Sequence, residues 1–384
     1  MKNLLTSFSA IETPFYYYDL SLLKDTVEAL KKGNVNNYHV HYALKANVNA
    51  KILNVIREAG LGVDCVSGGE IKIALENGFR ADQIVLAGVG KTDKEIEFAL
   101  NEEIFSFNVE SIAELLVIDE IAGRLGKIAN ISMRINPEIE AGTHHYITTG
   151  SKENKFGVST DELLASLPTI KSCDNISFIG LHYHIGSQIV DLERFKVLAG
   201  RVNLLQGKLV EEGFRLPHLN LGGGLGIDYG DPEANPIPDF KSYFQVFKDH
   251  LKVMPNQEVH FELGRSIVGQ CGSLISRVLY MKEGGQTKFA ILDGGMTELM
   301  RPALYQAEHK IENISSNEPD EIYDIVGPIC ESSDFFGKKT SLPKTKRGDF
   351  IAVRSAGAYG ETMRSNYNGR EFAKAYYSED LLSH

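Results

Sequence analysis

Short apolar runs alternate with longer amphipathic stretches along the first two thirds of the chain. Runs of this kind, bounded by polar and glycine-containing segments, are typical of buried strands. The eight predicted strands are His39–Leu44, Gly62–Val66, Gln83–Ala87, Ile104–Val109, Ile131–Asn136, Phe178–His184, His218–Gly222 and Glu258–Leu263. Helical periodicity lies between most of them, at Ala50–Ala59, Gly69–Asn77, Lys91–Asn101, Ser111–Leu125, Asp161–Leu167, Asp191–Glu212 and Asp239–Val253.

This alternation predicts a parallel sheet with crossover helices. Eight units in about 230 residues match the size of a (β/α)8 barrel. We therefore predict an α/β fold with a TIM-like barrel over residues 28–265. A doubly wound open sheet is the alternative, because only the number of strands separates the two.

The pattern changes near residue 266, where alternating stretches and glycine-rich turns indicate antiparallel strands. These stretches are Ser273–Lys282, Lys288–Asp293, Glu321–Val326 and Asp349–Arg354, and one helix is predicted at Leu299–Ala307. The aromatic strand Thr13–Leu20, followed by a helix at Leu22–Lys32, is expected to join them, since a barrel offers no free sheet edge. A second, β-rich domain is thus predicted for residues 1–27 and 266–384.

Composition narrows the class of protein. Hydrophobic residues at 43% and charged residues at 24% are ordinary for a soluble globular chain of 384 residues, and a net charge of −11 argues against a general nucleic-acid-binding surface. The four cysteines are scattered without a CxxC pair, which argues against a disulfide framework and structural zinc. Without a charged leader or a membrane-length apolar run, we expect a cytoplasmic protein with no membrane partner.

Reactive residue types fall at the ends of predicted strands. Lys45 ends the first one, where burial would lower the pKa of its amine and suit it to form a Schiff base, although a solvent-facing edge lysine is the alternative. Gly222–Gly226 follows the seventh strand and Arg265 follows the eighth, which are the usual phosphate-binding positions of a barrel. His184 and Glu262 also close strands, although each could be an ordinary core or salt-bridge residue. Together they suit pyridoxal 5'-phosphate.

Eight motifs in order carry a family resemblance over nearly the whole chain. They are YALKAN (Tyr42–Asn47), DCVSGGE (Asp64–Glu70), HIGSQ (His184–Gln188), GGGLGI (Gly222–Ile227), ELGRS (Glu262–Ser266), RPALY (Arg301–Tyr305), CESSD (Cys330–Asp334) and AGAYG (Ala356–Gly360). With them the chain resembles the fold-type III pyridoxal-phosphate-dependent amino-acid decarboxylases, and among these the diaminopimelate decarboxylase family. Leu263 departs from the family pattern, which has proline there; leucine is expected to loosen the phosphate loop slightly.

The resemblance implies a role for each matching residue. At the cofactor it places Lys45 as the Schiff-base lysine, His184 stacked on the ring, Glu262 at the ring nitrogen, Gly224, Gly264, Arg265 and Ser187 at the phosphate, and Tyr359 nearby. At the substrate it places Arg265, Arg301, Tyr305, Glu331 and Tyr359, with Cys330 as the catalytic acid. It also implies a homodimer with shared active sites, in which the Cys330 loop enters the neighbouring subunit's site.

The resemblance implies decarboxylation of meso-2,6-diaminopimelate to L-lysine and carbon dioxide, the last step of lysine biosynthesis. Arg301 can bind a carboxylate through two hydrogen bonds and Glu331 can accept an ammonium, which suits the distal amino-acid group of this substrate. The nearest alternative is a sister decarboxylase for ornithine, lysine, arginine or carboxynorspermidine. A pyridoxal-phosphate racemase and a non-catalytic regulatory relative are the alternatives from other classes.

Overall fold

The structure, a computed structural model, describes residues 1–139 and 155–381. The chain divides into two compact units. The first consists of Val27–Gly226 and Asp239–Gly264, and the second of Met1–Thr26, Ile227–Pro238 and Arg265–His384. None of the helices in the described ranges combines the length and apolar character needed to cross a membrane.

The first unit is a closed barrel of parallel strands. After strand β1 (Phe15–Tyr18), which belongs to the second unit, the barrel strands are β2 (His39–Ala43), β3 (Gly62–Cys65), β4 (Ile84–Leu86), β5 (Ser106–Val109), β6 (Ala129–Ile135), β7 (Ile176–Tyr183), β8 (His218–Asn220) and β9 (Glu258–Leu263). Each strand pairs with the next, and β2 also pairs with β9, which closes the ring. The predicted barrel is confirmed, and the open sheet is excluded.

Helices connect the barrel strands. They are α3 (Ala50–Glu58), α4 (Gly68–Glu76), α5 (Asp93–Asn101), α6 (Ile112–Leu125), α7 (Thr160–Ser172), α8 (Glu193–Glu211) and α9 (Phe240–His250). All of those described except α8 begin after a residue whose side chain caps them by accepting a hydrogen bond from a first-turn backbone N–H. This bond satisfies a donor that the helix itself leaves unpaired. Four of the capping residues are Ser67, Thr92, Ser111 and Ser159. Local sequence therefore fixes where these helices start.

A cluster of aromatic side chains packs helices α8 and α9 against strand β9 of the barrel. Tyr243 and Phe247 of α9 pack on Phe261 of β9, and the Phe247 and Phe261 ring centroids lie 5.0 Å apart edge to face. Phe195 of α8 packs on Tyr243 in turn. All four side chains are buried. Because such rings bury large apolar areas, this cluster contributes several kcal/mol of barrel stability.

The second unit is built on a mostly antiparallel sheet. Its strands besides β1 are β10 (Gly272–Gly284), β11 (Thr287–Leu292), β12 (Ile311–Asn313), β13 (Asp320–Val326), β14 (Phe335–Pro343), β15 (Phe350–Val353) and β16 (Lys374–Tyr377). Two pairings, β1 with β16 and β11 with β13, are parallel rather than antiparallel. The sequence pattern missed β12 and β16, which are short, and β14, which alternates weakly because only two of its nine residues are buried.

Short helices complete the second unit. They are α1 (Leu5–Ser9), α10 (Arg265–Val268), α11 (Arg301–Tyr305) and α12 (Ser378–Leu381), while α2 (Leu20–Gly33) follows β1. The expected N-terminal strand does join this sheet, since β1 pairs with β10. Phe8 of α1 packs on Phe15 and Tyr17 of β1, so burial of aromatic side chains anchors the start of the chain.

Replacing Phe247 by alanine is expected to lower the free energy of unfolding of the barrel by about 3–5 kcal/mol, because it leaves a cavity in a fully packed cluster. Denaturant unfolding monitored by circular dichroism measures it. Leu204→Ala on α8 is the matched control: its side chain is 66% exposed, so a change within about 0.5 kcal/mol is expected. Equal effects of the two substitutions would contradict this account of the barrel core.

Candidate active site

Lys45 lies at the carboxyl end of the first barrel strand. It sits in a 3-10 turn, Leu44–Ala46, that follows β2 directly. Its side chain is 38% exposed, and its Nζ lies 3.4 Å from Oδ2 of Asp64 on β3. The amine is therefore neither fully buried nor a free surface group. It projects from the end of the barrel where active sites of this fold lie.

Asp64 is a buried carboxyl group in an unfavourable place for a charge. Burial first, and then the negative charge of Glu262, raise the pKa of Asp64 to about 8, which the nearby Lys45 amine only partly offsets. Its Oδ1 is buried without a hydrogen-bond partner among the described residues. Of these two acids, Asp64 is the one that holds a proton.

Glu262 is the carboxyl group that stays ionised. Burial alone would raise the pKa of Glu262, but the interaction with His182, followed by that with the Lys45 amine, holds this pKa well below its usual value. Asn108 and Asn220 donate to Oε1 at 2.8 and 2.7 Å, and His182 Nε2 lies 2.9 Å from Oε2. Three side chains from β5, β7 and β8 thus converge on one carboxylate of β9, as buried charge requires.

His184 follows β7 and is held neutral. Its Nδ1 accepts a hydrogen bond from the backbone N–H of Gly223 at 3.3 Å. Burial, followed by the positive charges of Arg134 and Lys45, lowers the pKa of His184 well below its ordinary value. Arg134 itself is paired with Glu110 at 2.6 Å. The result is a flat, uncharged ring at the carboxyl end of the barrel.

The glycine-rich loop after β8 packs directly on neighbouring backbone. A Cβ on Gly223 would lie 1.8 Å from the Glu262 carbonyl oxygen, and one on Gly224 would lie 2.6 Å from that of Gly186. Gly224 also has a φ of +109°, and its carbonyl accepts from the Ile189 N–H at 2.8 Å. Only glycine fits here, so the backbone of this loop can approach an anion closely.

The remaining barrel residues predicted for the cofactor lie near these strand ends. Ser187 is half-buried in the loop after β7. Gly264 follows β9, and a Cβ there would lie 3.0 Å from that of Ala46, so it packs against the turn that carries Lys45. Leu263 is the last residue of β9, fully buried and in register with Tyr42.

In the second unit, two arginines share one tyrosine. Arg265 at the start of α10 donates to the Tyr229 hydroxyl at 2.5 Å and lies 4.9 Å over the Tyr359 ring. Arg301 at the start of α11 lies 4.9 Å over the ring of Tyr229. Both guanidinium groups belong to buried residues. Two permanent cations that share Tyr229 as a partner form a site suited to anionic groups.

A neutral histidine positions Arg301. His309 Nδ1 donates to the carbonyl of Arg354 at 2.8 Å, so its Nε2 is left to accept from Arg301 Nη1, also at 2.8 Å. Burial first and then the Arg301 charge lower the pKa of His309 to about 3. Tyr305, at the other end of α11, is half-buried.

Cys330 and Glu331 lie in an exposed loop of the second unit. The Glu331 carboxylate accepts a hydrogen bond from the Tyr367 hydroxyl at 2.8 Å. Asp334 anchors this loop, since its carboxylate accepts from the backbone N–H groups of Met296 and Ile329, each at 2.7 Å. The structure thus brings Arg265, Arg301 and Tyr359 together around Tyr229, and it places Cys330 and Glu331 in a separate, exposed loop.

Several residues that build these sites were not predicted from the sequence. Asn108, His182 and Asn220 bind Glu262, and Tyr229 joins the two arginines. Their position was the available signal: the first three lie within the last three residues of predicted strands, where buried polar residues are unusual. Nothing in its local sequence marks Tyr229, because its partners come from distant segments.

The barrel residues fit pyridoxal phosphate. A partly exposed lysine amine suits the aldehyde, an ionised carboxylate suits a protonated pyridine nitrogen, a neutral imidazole suits the ring, and the glycine loop suits a phosphate. The unpartnered Asp64 Oδ1 and His182 Nδ1, both buried, add hydrogen-bonding capacity that the described residues leave unused. These features define the class of a pyridoxal-phosphate-dependent barrel enzyme.

Comparisons with known proteins agree with this class. Residues 21–269 match the family described as pyridoxal-dependent decarboxylase, pyridoxal binding domain. A diaminopimelate decarboxylase of Bacteroides thetaiotaomicron is 57% identical over 98% of both chains. The crystal structure of diaminopimelate decarboxylase from Helicobacter pylori complexed with L-lysine is 41% identical with a TM-score of 0.91, covering 97% of this chain and 93% of that one. The chain therefore belongs to the diaminopimelate decarboxylase family, and the resemblance found in the motifs is confirmed.

The two buried acids lead to a prediction about pH. The folded-state pKa of Asp64 lies above its unfolded value, so its neutral form stabilises the cofactor-free barrel at low pH, and that contribution is lost as pH rises from about 4 to about 8. Asp64→Asn is expected to remove this slope, at most about 1.4 kcal/mol per pH unit for one proton. Urea unfolding between these pH values measures it.

The control for this pH dependence is Asp249→Asn, at the exposed end of α9. Its free energy of unfolding should change with pH as steeply as that of the unmodified protein. An unchanged slope in Asp64→Asn would show that Asp64 is ionised across this range, contrary to the protonation assigned to it.

Proposed function

We propose that this chain catalyses the pyridoxal-phosphate-dependent decarboxylation of meso-2,6-diaminopimelate to L-lysine and carbon dioxide, the last step of lysine biosynthesis. The observation that carries the proposal is the ionised Glu262 carboxylate, bound by Asn108, Asn220 and His182 near the strand end that bears Lys45. Membership of the diaminopimelate decarboxylase family supports the choice of substrate.

In this proposal the barrel holds the cofactor. Lys45 would bind it covalently through its amine, and Glu262 would pair with the ring nitrogen and keep a proton there. His184 would offer its neutral ring to the pyridine face. Ser187, Gly224, Gly264 and the adjoining Arg265 would bind the phosphate, with Tyr359 beside the cofactor. When bound, pyridoxal phosphate supplies the electron sink for the pair left by the departing carboxylate.

Residues of the second unit would recognise the substrate. Arg301 is held by the neutral His309 and keeps its charge available for a carboxylate. Arg265, Tyr305 and Tyr359 would also contact substrate. Glu331 would accept the distal ammonium group, exchanging its present bond to Tyr367 for a charge-assisted one. The Cys330 thiol would hold the proton that is delivered to the substrate carbon after carbon dioxide leaves.

We further infer a homodimer with shared active sites. The support is that Cys330 and Glu331, two residues proposed to meet substrate, lie in an exposed loop that a second subunit can reach. A cytoplasmic location completes the proposal: all four cysteines are free thiols, as is usual in a reducing compartment.

The substrate assignment is tested by carbon dioxide release from meso-diaminopimelate, ornithine, lysine and arginine by the purified, cofactor-loaded enzyme. Strong preference for meso-diaminopimelate with L-lysine as product is expected. Glu331→Gln should lower kcat/KM for that substrate about 10- to 100-fold, because a charged hydrogen bond to the distal ammonium is lost. Glu318→Gln, another exposed acid of the second unit, is the control and should be neutral. Release from ornithine or arginine alone would overturn the substrate assignment.

Shared sites are tested by mixing two inactive variants, Lys45→Ala and Cys330→Ala, under conditions that exchange subunits. If each site takes Lys45 from one subunit and Cys330 from the other, half of the dimers are mixed and hold one intact site. About a quarter of the activity of the unmodified enzyme should then return. A mixture that stays inactive although subunits have exchanged would show that each subunit uses its own Cys330.

A further inference from the structure

A cluster of histidines lies at the amino-terminal end of the barrel, opposite the proposed active site. His39, His218 and Glu258 are the first residues of β2, β8 and β9. His41 and His260 follow two residues later on β2 and β9, so their side chains lie one layer deeper. None of these groups takes part in the proposed reaction.

Three ligand-type atoms in this cluster form a nearly regular triangle. His218 Nδ1 lies 3.2 Å from His260 Nε2 and 3.3 Å from Glu258 Oε2, and the last two atoms lie 3.6 Å apart. Nitrogen and oxygen ligands about 2.0–2.1 Å from a tetrahedral metal ion are separated by about 3.3 Å. A point about 2.0 Å from all three atoms therefore exists with no movement of the chain.

The hydrogen bonds of the deeper layer leave a lone pair directed at this triangle. His41 Nδ1 lies 3.3 Å from the Gln83 carbonyl oxygen, which can only accept a hydrogen bond, so the proton of the neutral His41 ring is on Nδ1. The other nitrogen of this ring, Nε2, is therefore a hydrogen-bond acceptor. His260 Nδ1 must then donate to His41 Nε2 at 2.9 Å, which leaves His260 Nε2 unprotonated. Second-layer bonds that fix the tautomer in this way are typical of metal-binding histidines.

Both deep rings are buried, so a ring without net charge is the favoured form. The proton on His218 Nδ1, shared with His260 and Glu258, can move to its other nitrogen when an ion takes its place.

We propose that His218, His260 and Glu258 bind a divalent transition-metal ion of the zinc type at the amino-terminal end of the barrel, with His39 as the fourth ligand. The His39, Glu258 and His260 ligand atoms all lie within 4.8 Å of one another, and His39 Nε2 is 4.0 Å from Glu258 Oε2. A small rotation of the exposed His39 ring completes a four-ligand set. Three imidazoles with one carboxylate favour zinc, cobalt, nickel or copper over magnesium or calcium.

The position of the ion suggests what it does. β2 pairs with β9 and β8 pairs with β9, so the four ligands join the strands at which the barrel closes. A four-ligand set without an open position is structural rather than catalytic. A surface cavity of about 410 Å³, lined in part by His39, Glu258 and His260, gives the ion a path from solvent. The ion stabilises the barrel by joining strands β2, β8 and β9.

The test is a titration of the chelator-treated, cofactor-loaded enzyme with Co²⁺. One ion per chain is expected, with the visible bands of tetrahedral cobalt and without the near-ultraviolet band of a cobalt–thiolate bond. Glu258→Gln and His218→Gln should each weaken binding about tenfold or more. At one fixed concentration, Zn²⁺ should raise the thermal unfolding midpoint of the unmodified enzyme more than that of these variants.

His250→Gln, at the exposed end of α9, is the matched control and should bind Co²⁺ like the unmodified enzyme. Retained cofactor absorbance in every variant shows that the barrel is folded. The proposal is overturned if Co²⁺ binds Glu258→Gln and His218→Gln as tightly as the unmodified enzyme, if a cobalt–thiolate band accounts for the bound ion, or if no ion binds.

Discussion

The barrel site depends on one buried charge, the Glu262 carboxylate. A carboxylate in a barrel interior is unfavourable unless several donors replace water, and here Asn108, Asn220 and His182 do so from three different strands. The same arrangement settles the state of the neighbouring acid. Two adjacent carboxyl groups buried in a barrel are not both ionised. Asp64 keeps the proton, because the Lys45 amine offsets its burial only in part.

In the second unit, uncharged polar groups likewise contact buried charges. Arg265 and Arg301 are both buried, and the groups that contact them include Tyr229, Tyr359 and the neutral His309. Polar but uncharged partners orient a guanidinium group without cancelling its charge. That leaves the charge available to an anionic group, which agrees with an amino-acid substrate and a phosphorylated cofactor.

Strand β9 links the two ends of the barrel. Glu258, His260 and Glu262 alternate along it, and side chains two residues apart point to the same face of a strand. Polar groups on this strand thus run from the histidine cluster at one end to the ionised carboxylate at the other. Because each is bound by side chains of neighbouring strands, the barrel interior carries specific hydrogen bonds as well as apolar packing.

The sequence alone determined the barrel, the pairing of the N-terminal strand with the second sheet, and the placing of Lys45, His184 and Glu262 at strand ends. Periodicity and capping residues are local properties, and the motifs are contiguous, so both can be recognised without coordinates. Only the tertiary structure decided which groups surround Glu262, which acid keeps its proton, and that Tyr229 lies between two arginines. It also decided that His39, His218, His260 and Glu258 converge. These groups are separated by long stretches of chain, and no local pattern records the strand register that brings them together.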